Sequence, residues 1–166
     1  MILLSVTNQM LIVLLVLLVI FIVFSIIKKV NENKEKAKIV NETDLIFNKY
    51  GLVEIVDNKK YFVYNDKKYL IFYQYIGANK EMTVNSEKLW QTYGSKGEIL
   101  HMNHLVKSRM PKIVIIYPTK ERPKRYINEN TLEFIDFQKT YTYYVILKEN
   151  NLDNVGSGGK LLSDQE

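Results

Sequence analysis

An uncharged apolar run near the N-terminus constrains this chain more than any other feature of its sequence. Residues 10–27 read MLIVLLVLLVIFIVFSII, in which Ser25 is the only polar side chain. At about 1.5 Å of rise per residue, a helix of this length spans about 27 Å, close to the ~30 Å hydrocarbon core of a bilayer. The run predicts a transmembrane helix, and we place a membrane anchor at residues 1–27.

A cleaved signal peptide or a buried core helix could also produce such a run. A signal peptide has a basic start and small residues at its cleavage site. Residues 1–9 contain no Lys or Arg, and Ile26-Ile27 lead directly into Lys28-Lys29. A core helix that is apolar on every side would be unusual in a chain of 166 residues. The sequence therefore favours a retained anchor over both alternatives.

The charges that flank the run predict its orientation. Five lysines follow it within residues 28–38 and none precedes it. The positive-inside rule then places the C-terminal part of the chain in the cytoplasm and Met1 outside. Residues 28–40 form a charged juxtamembrane spacer, either a helix that continues the span or a solvated linker. Their lysines could also contact the anionic head groups of membrane lipids.

The rest of the chain has the composition of one folded domain with a short tail. All charged residues follow Ile27, and they give a net charge of +5. The absence of Cys excludes disulfides, thiolate metal sites and a Cys nucleophile. We place a domain at residues 41–149, which is an ordinary domain size. Residues 150–166 carry three glycines and predict a flexible tail.

The pattern of apolar residues in the domain predicts a mixed α/β (α+β) fold. A helix from Asn41 to Gly51 is followed by a three-stranded antiparallel meander at 52–56, 61–64 and 69–76, with turn-forming residues between the strands. The strand at 69–76 is expected at the centre of the sheet. Further along, we expect helices at 86–93 and 98–108, a buried strand at 112–117, a basic loop at 119–126 and a strand at 131–137. Residues 141–147 fit either a strand or a helix.

This order of elements, with three local stretches of sequence, resembles the restriction-endonuclease-like fold, and within it the Mrr type of nuclease domain. The stretch 64–71 (YNDKKYLI) resembles the hairpin that leads into the family's catalytic strand. Residues 86–94, with Leu89 and Tyr93-Gly94, resemble the helix after it, and 132–136 (LEFID) resemble the strand that follows the family's basic loop. The resemblance covers about residues 42–138.

The resemblance implies a nuclease fold that has lost its catalytic residues. The family's chemistry needs an Asp and a (Glu/Gln)-x-Lys pair, which hold a divalent cation and position the attacking water. The pair falls on Phe72 and Gln74, and the Asp position falls near Lys60 or Tyr61. None of these side chains can bind the cation as a carboxylate does. We therefore assign no catalytic residue, no metal site and no cofactor.

Two other groups of residues suggest binding chemistry. Glu98, His101 and His104 would share one face of the predicted helix and could hold a metal, although imidazoles near helix ends are commonplace. The domain's most basic stretch runs from Lys107 to Arg125. Within it we select four candidate contacts for an anion or phosphate, as part of nucleic acid or an anionic lipid: Lys120, Arg122, Lys124 and Arg125. The alternative is an ordinary solvated loop.

The sequence leaves three functional hypotheses open. The first is a membrane-anchored, catalytically inactive nuclease-like domain that acts as a binding or scaffolding module for nucleic acid or another protein. The second is a membrane structural or assembly protein that makes only protein contacts. The third is an active membrane-bound nuclease whose metal ligands have moved to other positions. The twelve Tyr residues could stack on bases, but sheet packing accounts for them as well.

Overall fold

The computed structural model describes residues 2–77, 80–94, 97–118, 123–128, 130–135, 139–140 and 144–157. The chain divides into two compact units, Met1–Ala37 and Lys38–Glu166. The helix α1, Ile2–Phe47, supplies the first unit and the first residues of the second. We describe the units separately.

The first unit consists of α1 alone and has the properties of a membrane span. Its apolar side chains from Met10 to Ile27 are exposed along the whole run. Among the described residues, α1 is the one helix that is long and apolar enough to cross a bilayer. Residues 28–40 are helical, which decides between the two predicted forms of the spacer. An α-helix satisfies its own backbone hydrogen bonds, so lipid can cover such a surface without cost to the backbone.

The second unit contains two mixed sheets. Its strands are, in chain order, β1 Leu52–Val56, β2 Lys59–Tyr64, β3 Lys67–Tyr75, β4 Glu81–Val84, β5 Leu89–Tyr93, β6 Glu98–His101, β7 Lys112–Tyr117, β8 Lys124–Asn128, β9 Thr131–Phe134, β10 Lys139–Thr140 and β11 Tyr144–Lys148. The first sheet has the order β1-β2-β3-β7-β11-β10 and the second the order β6-β5-β4-β8-β9. Two short α-helices, α2 Asn103–Val106 and α3 Asn154–Ser157, and one 3-10 helix, Glu149–Asn151, complete the described elements. The predicted mixed α+β class is confirmed.

The predicted meander is confirmed, and its turn residues account for it. β1, β2 and β3 pair antiparallel through two-residue turns, Asp57-Asn58 and Asn65-Asp66. All four turn residues have a positive φ, between 47° and 61°. Asp and Asn tolerate this left-handed conformation, and two such residues in succession make the type I′ turn that matches the twist of a hairpin.

The centre of the first sheet is also as predicted. β7 lies between β3 and β11, parallel to both, and all six of its residues are buried. Alternate residues of β7 enter two hydrophobic clusters, because successive side chains in a strand point to opposite faces. Ile113 and Ile115 pack with Ile39 and Phe47 of α1. Val114 and Ile116 pack with Trp90 of the second sheet.

The two helices predicted between the meander and β7 are wrong. Residues 89–93 and 98–101 form β5 and β6, and only the four-residue α2 lies in the second stretch. In β5, Trp90 and Thr92 are buried and alternate with less buried residues, which is the period of a strand. Ser86, the first residue of the predicted helix, instead accepts a hydrogen bond from the amide of Leu89 in a turn, at 3.1 Å. The helix at 86–94 in the family resemblance is therefore absent.

Two smaller predictions need correction, and one open alternative is resolved. Lys124, Arg125 and Tyr126 belong to β8 and not to a loop, because they pair with β4 and β9. The ambiguous stretch is a strand from Tyr144 onward. The flexible tail does not begin at residue 150, since Leu152 and Val155 are buried in the cluster that contains Phe47. Residues 119–122, 136–138, 141–143 and 158–166 lie outside the described part of the chain.

Gly156 is one of the three glycines that suggested flexibility near the C-terminus, and it has a packing role. A Cβ atom at this position would lie 2.1 Å from a ring carbon of Tyr50. No side chain fits in that space, so glycine here allows a close approach of α3 to the ring. At this one position, glycine serves packing.

Candidate interaction surface

The positions that the family resemblance assigned to catalysis have no catalytic geometry in the structure. Phe72 is partly buried, and its ring centroid lies 5.3 Å from that of His104. The side-chain amide of Gln74 donates to the backbone oxygen of Tyr75 at 3.1 Å. Lys60 donates to both carboxylate oxygens of Asp44 at 2.7 Å. Among the described residues, no group of three or more His, Cys, Asp or Glu side chains could hold a metal.

Glu98, His101 and His104 do not share a helical face, so the face considered for metal binding is absent. Glu98 and His101 lie on β6, and His104 lies on α2. Strand residues three apart point to opposite faces of a sheet. Glu98 lies 3.4 Å from the ammonium of Lys80. Burial, with a smaller effect of Lys107, lowers the pKa of His104, which favours its neutral form.

The buried Tyr73 hydroxyl is no better placed for catalysis. Burial is the main cause that raises the pKa of Tyr73, well above its usual value of 10.0. A phenol in this environment stays protonated near neutral pH and is not a useful base. This side chain packs against the hydrophobic cluster beneath α1, and we assign it a structural role.

Strand β7 separates the basic stretch into two groups. Lys107 and Arg109 precede β7, whereas Lys124 and Arg125 follow it, and a six-residue strand spans about 20 Å. Lys112 is only 1% exposed and donates to the backbone oxygens of Ser108 and Met110, the latter at 2.6 Å. Burial lowers the pKa of Lys112. These lysine and arginine residues do not form one continuous basic surface.

Two of the four candidate anion contacts are already in ion pairs. Lys124 lies 2.6 Å from a carboxylate oxygen of Glu81, and Arg125 lies 2.5 Å from one of Glu133. As neighbours on a strand, Lys124 and Arg125 point to opposite faces of the second sheet. Lys120 and Arg122 lie outside the described residues. The anion contact stays a prediction, and a phosphate would have to compete with two carboxylates.

The second sheet has an inner face that packs on the first sheet and an outer face that does not. Met82, Val84 and Trp90 are buried on the inner face. Cross-strand pairing places Phe134 beside Lys124 and Leu132 beside Tyr126, on the opposite face. The exposed fractions are 48% for Tyr126, 38% for Leu132 and 52% for Phe134. We call these three residues the β8–β9 patch.

The outer face beside the patch is polar and hydrogen-bonded within itself. Glu81 pairs with Lys124, whose ammonium also lies 6.0 Å from the ring centroid of Phe134. The hydroxyl of Thr83 donates to that of Tyr93 at 3.4 Å, and Asn85 donates to Gln91 at 3.2 Å. An apolar, aromatic centre with a polar rim is the usual composition of a protein–protein contact. The patch is therefore the best candidate site on the domain.

Strand β1, at one edge of the first sheet, also exposes apolar side chains, Leu52, Ile55 and Val56. However, the side-chain oxygen of Asn48 accepts a hydrogen bond from the amide of Val53 at 3.1 Å. A side chain that occupies an edge amide hinders the addition of another strand, a common protection of sheet edges. This protection makes β1 a weaker candidate than the β8–β9 patch.

Sequence reasoning missed the patch although it found part of the strand that carries it. The alternation in TLEF predicted β9, but it could not show which side of that strand meets the core. That information comes from the neighbours β8 and β4, and β4 was not predicted at all.

No protein-family model, no curated protein and no solved structure matches this chain.

Proposed function

We propose that this protein is a single-pass membrane-anchored scaffold whose domain binds another protein through the β8–β9 patch. The observation that carries the proposal is the exposure of Tyr126, Leu132 and Phe134 together on one face of the second sheet. Aromatic residues of this kind are enriched among the side chains that dominate binding energy at protein interfaces. A partner would cover apolar surface that this face leaves in water.

The proposal includes an orientation for the anchor. The lysines that follow the span, and the absence of basic residues before it, support a cytoplasmic domain and an outward N-terminus. Protease added to sealed vesicles of known sidedness tests this orientation. Digestion of the domain from the extracytoplasmic side would reverse it.

An inactive restriction-endonuclease-like ancestry remains part of the proposal as an origin for the domain. The meander that leads into β3 supports the ancestry, and the loss of activity is inferred from Phe72 and Gln74 at the positions of the family's catalytic pair. The strands at 89–93 and 98–101 count against it. The binding role does not depend on this ancestry, because it follows from the surface of the second sheet.

Photo-cross-linking in the native membrane tests the binding role. A photoreactive phenylalanine would replace Leu132 in the full-length protein. The matched control carries the same group at Ile99, which is 59% exposed on the outer face at the opposite edge of the same sheet. We expect a discrete protein adduct from position 132, none from position 99, and loss of the adduct when Phe134 is also changed to Lys. Equal labelling from both positions, or none from 132, contradicts the proposal.

A nucleic-acid titration distinguishes the proposal from its main alternative. The full-length protein in lipid nanodiscs would be titrated with DNA and RNA at several salt concentrations. Phosphate contacts add roughly 0.7–0.9 each to the salt slope of log affinity. Binding whose slope falls by about 1–2 in the Lys124→Ala, Arg125→Ala double variant would favour nucleic acid as the partner.

A further inference from the structure

The end of the apolar run carries a shallow groove on one side of α1. The groove is lined by Phe21, Ile22, Ser25, Ile26 and Lys29 and has a volume of about 310 Å³. Residues at these spacings share one face of a helix. The volume is at the lower end of the roughly 300–1,000 Å³ that small-molecule sites occupy. The groove is large enough for part of one elongated ligand.

The lining of the groove changes from apolar to charged along the helix. Phe21, Ile22 and Ile26 supply its apolar walls. The hydroxyl of Ser25 donates to the backbone oxygen of Phe21 at 2.9 Å, so its hydrogen is used within the helix. Lys29 supplies the one charged side chain of the lining, at the C-terminal end. A molecule with a hydrocarbon chain and an anionic head group would match this change from apolar to charged lining.

Lys29 differs from its neighbour Lys28 in its electrostatic environment. The ammonium of Lys28 lies 3.7 Å from a carboxylate oxygen of Glu32, one helical turn away. Lys29 forms no ion pair with any side chain in the described part of the chain. Of these two lysines, only Lys29 lines the groove.

We propose that this groove binds one anionic phospholipid of the leaflet, with an acyl chain along Phe21, Ile22 and Ile26 and the phosphate beside Lys29. The inference goes beyond the protein-binding role and rests on the membrane anchor that is part of it. A basic side chain near the surface of an anionic membrane contributes about 1 kcal/mol, which corresponds to roughly a fivefold preference. The site should therefore select anionic over zwitterionic lipid by about that factor.

Spin-labelled lipids test the site in the full-length protein. The protein would be reconstituted in phosphatidylcholine with a trace of spin-labelled phosphatidylglycerol or phosphatidylcholine, and the motionally restricted fraction of each label measured. We expect the preference for phosphatidylglycerol to fall about fivefold in Lys29→Gln. The matched variant Lys28→Gln, which removes a neighbouring charge already paired with Glu32, should retain most of the preference.

Three outcomes would overturn the inference. Equal losses in Lys29→Gln and Lys28→Gln would show a general attraction of the basic flank without a site. Equal restricted fractions of phosphatidylglycerol and phosphatidylcholine with the wild-type protein would show that the anionic lipid is not preferred. The absence of any restricted lipid, with either label, would show that α1 is not in the bilayer, and would overturn the anchor together with the site.

Discussion

The two faces of the five-stranded sheet put similar side chains to different uses. Trp90 on the inner face is fully buried against the first sheet, whereas Phe134 on the outer face is half exposed. Each face also has an ion pair, Arg125–Glu133 towards the inside and Lys124–Glu81 on the outside. The difference shows that an aromatic residue on a strand is not by itself a sign of core packing. What matters is which face of the sheet it occupies.

The largest expected change in the free energy of unfolding comes from replacing Trp90 on the inner face. Truncating a buried Trp to Ala removes its packing and leaves a cavity, at a cost of about 3–5 kcal/mol. Phe134→Ala on the outer face should change the free energy of unfolding by no more than about 0.5 kcal/mol. Denaturant titration of the full-length protein in detergent, followed by far-UV circular dichroism, measures both. Similar costs for the two variants would contradict the assignment of the faces.

The apolar run of α1, which is also exposed, adds a second surface to compare with the patch. Its side chains from Met10 to Ile27 are exposed like those of the patch, but lipid is expected to cover them. Leu18→Arg near the centre of the span should cost about 2.5–3.5 kcal/mol of insertion free energy. Alkaline carbonate extraction should then release more of the protein. Phe134→Arg is the control, because its charge faces water, and its release should equal that of the wild type.

The two ion pairs of the sheet should contribute little to stability. Exposed pairs are usually worth about 0–1 kcal/mol, so Arg125→Met and Lys124→Met should each change the free energy of unfolding by less than about 1 kcal/mol. The variants should differ in binding. Lys124→Met enlarges the apolar surface beside Phe134 and should keep or raise the yield of the adduct from position 132. Loss of that adduct in Lys124→Met would indicate a partner that is recognised through this charge.

The smallest expected effect is a pH dependence of stability at His104, which packs on Phe72. The lowered pKa of His104 means that the unfolded chain binds more protons than the folded chain below its usual value of 6.5. Stability therefore falls as the pH falls from 6.5 through the lowered pKa. His104→Gln should remove part of that fall, which a denaturant titration repeated at several pH values measures. Trp90, the only Trp, reports unfolding by fluorescence.

The sequence predicted the elements whose causes are local. The span follows from an uncharged run, the meander from Asp-Asn and Asn-Asp turns, and β7 from consecutive β-branched residues. It failed at residues 86–108, because Leu89-Trp90-Gln91-Thr92-Tyr93 fits helix or strand until the neighbouring strands are known. The sequence did not predict the patch for the same reason, because the outer face of β9 is known only once β8 and β4 define the sheet. Of the four candidate anion contacts, Lys124 and Arg125 point to opposite faces because they are neighbours on a strand, which the sequence had placed in a loop.

Hydroxyl-radical footprinting of the full-length protein tests most directly whether the β8–β9 patch is covered by a partner. Oxidation of Tyr126, Leu132 and Phe134 would be measured by mass spectrometry in native membranes and after purification in detergent. Ile99 and Leu52, exposed elsewhere on the domain, serve as internal references. We predict lower oxidation of the patch in native membranes and unchanged oxidation of both references. Equal oxidation of the patch in the two preparations would contradict the proposed contact surface.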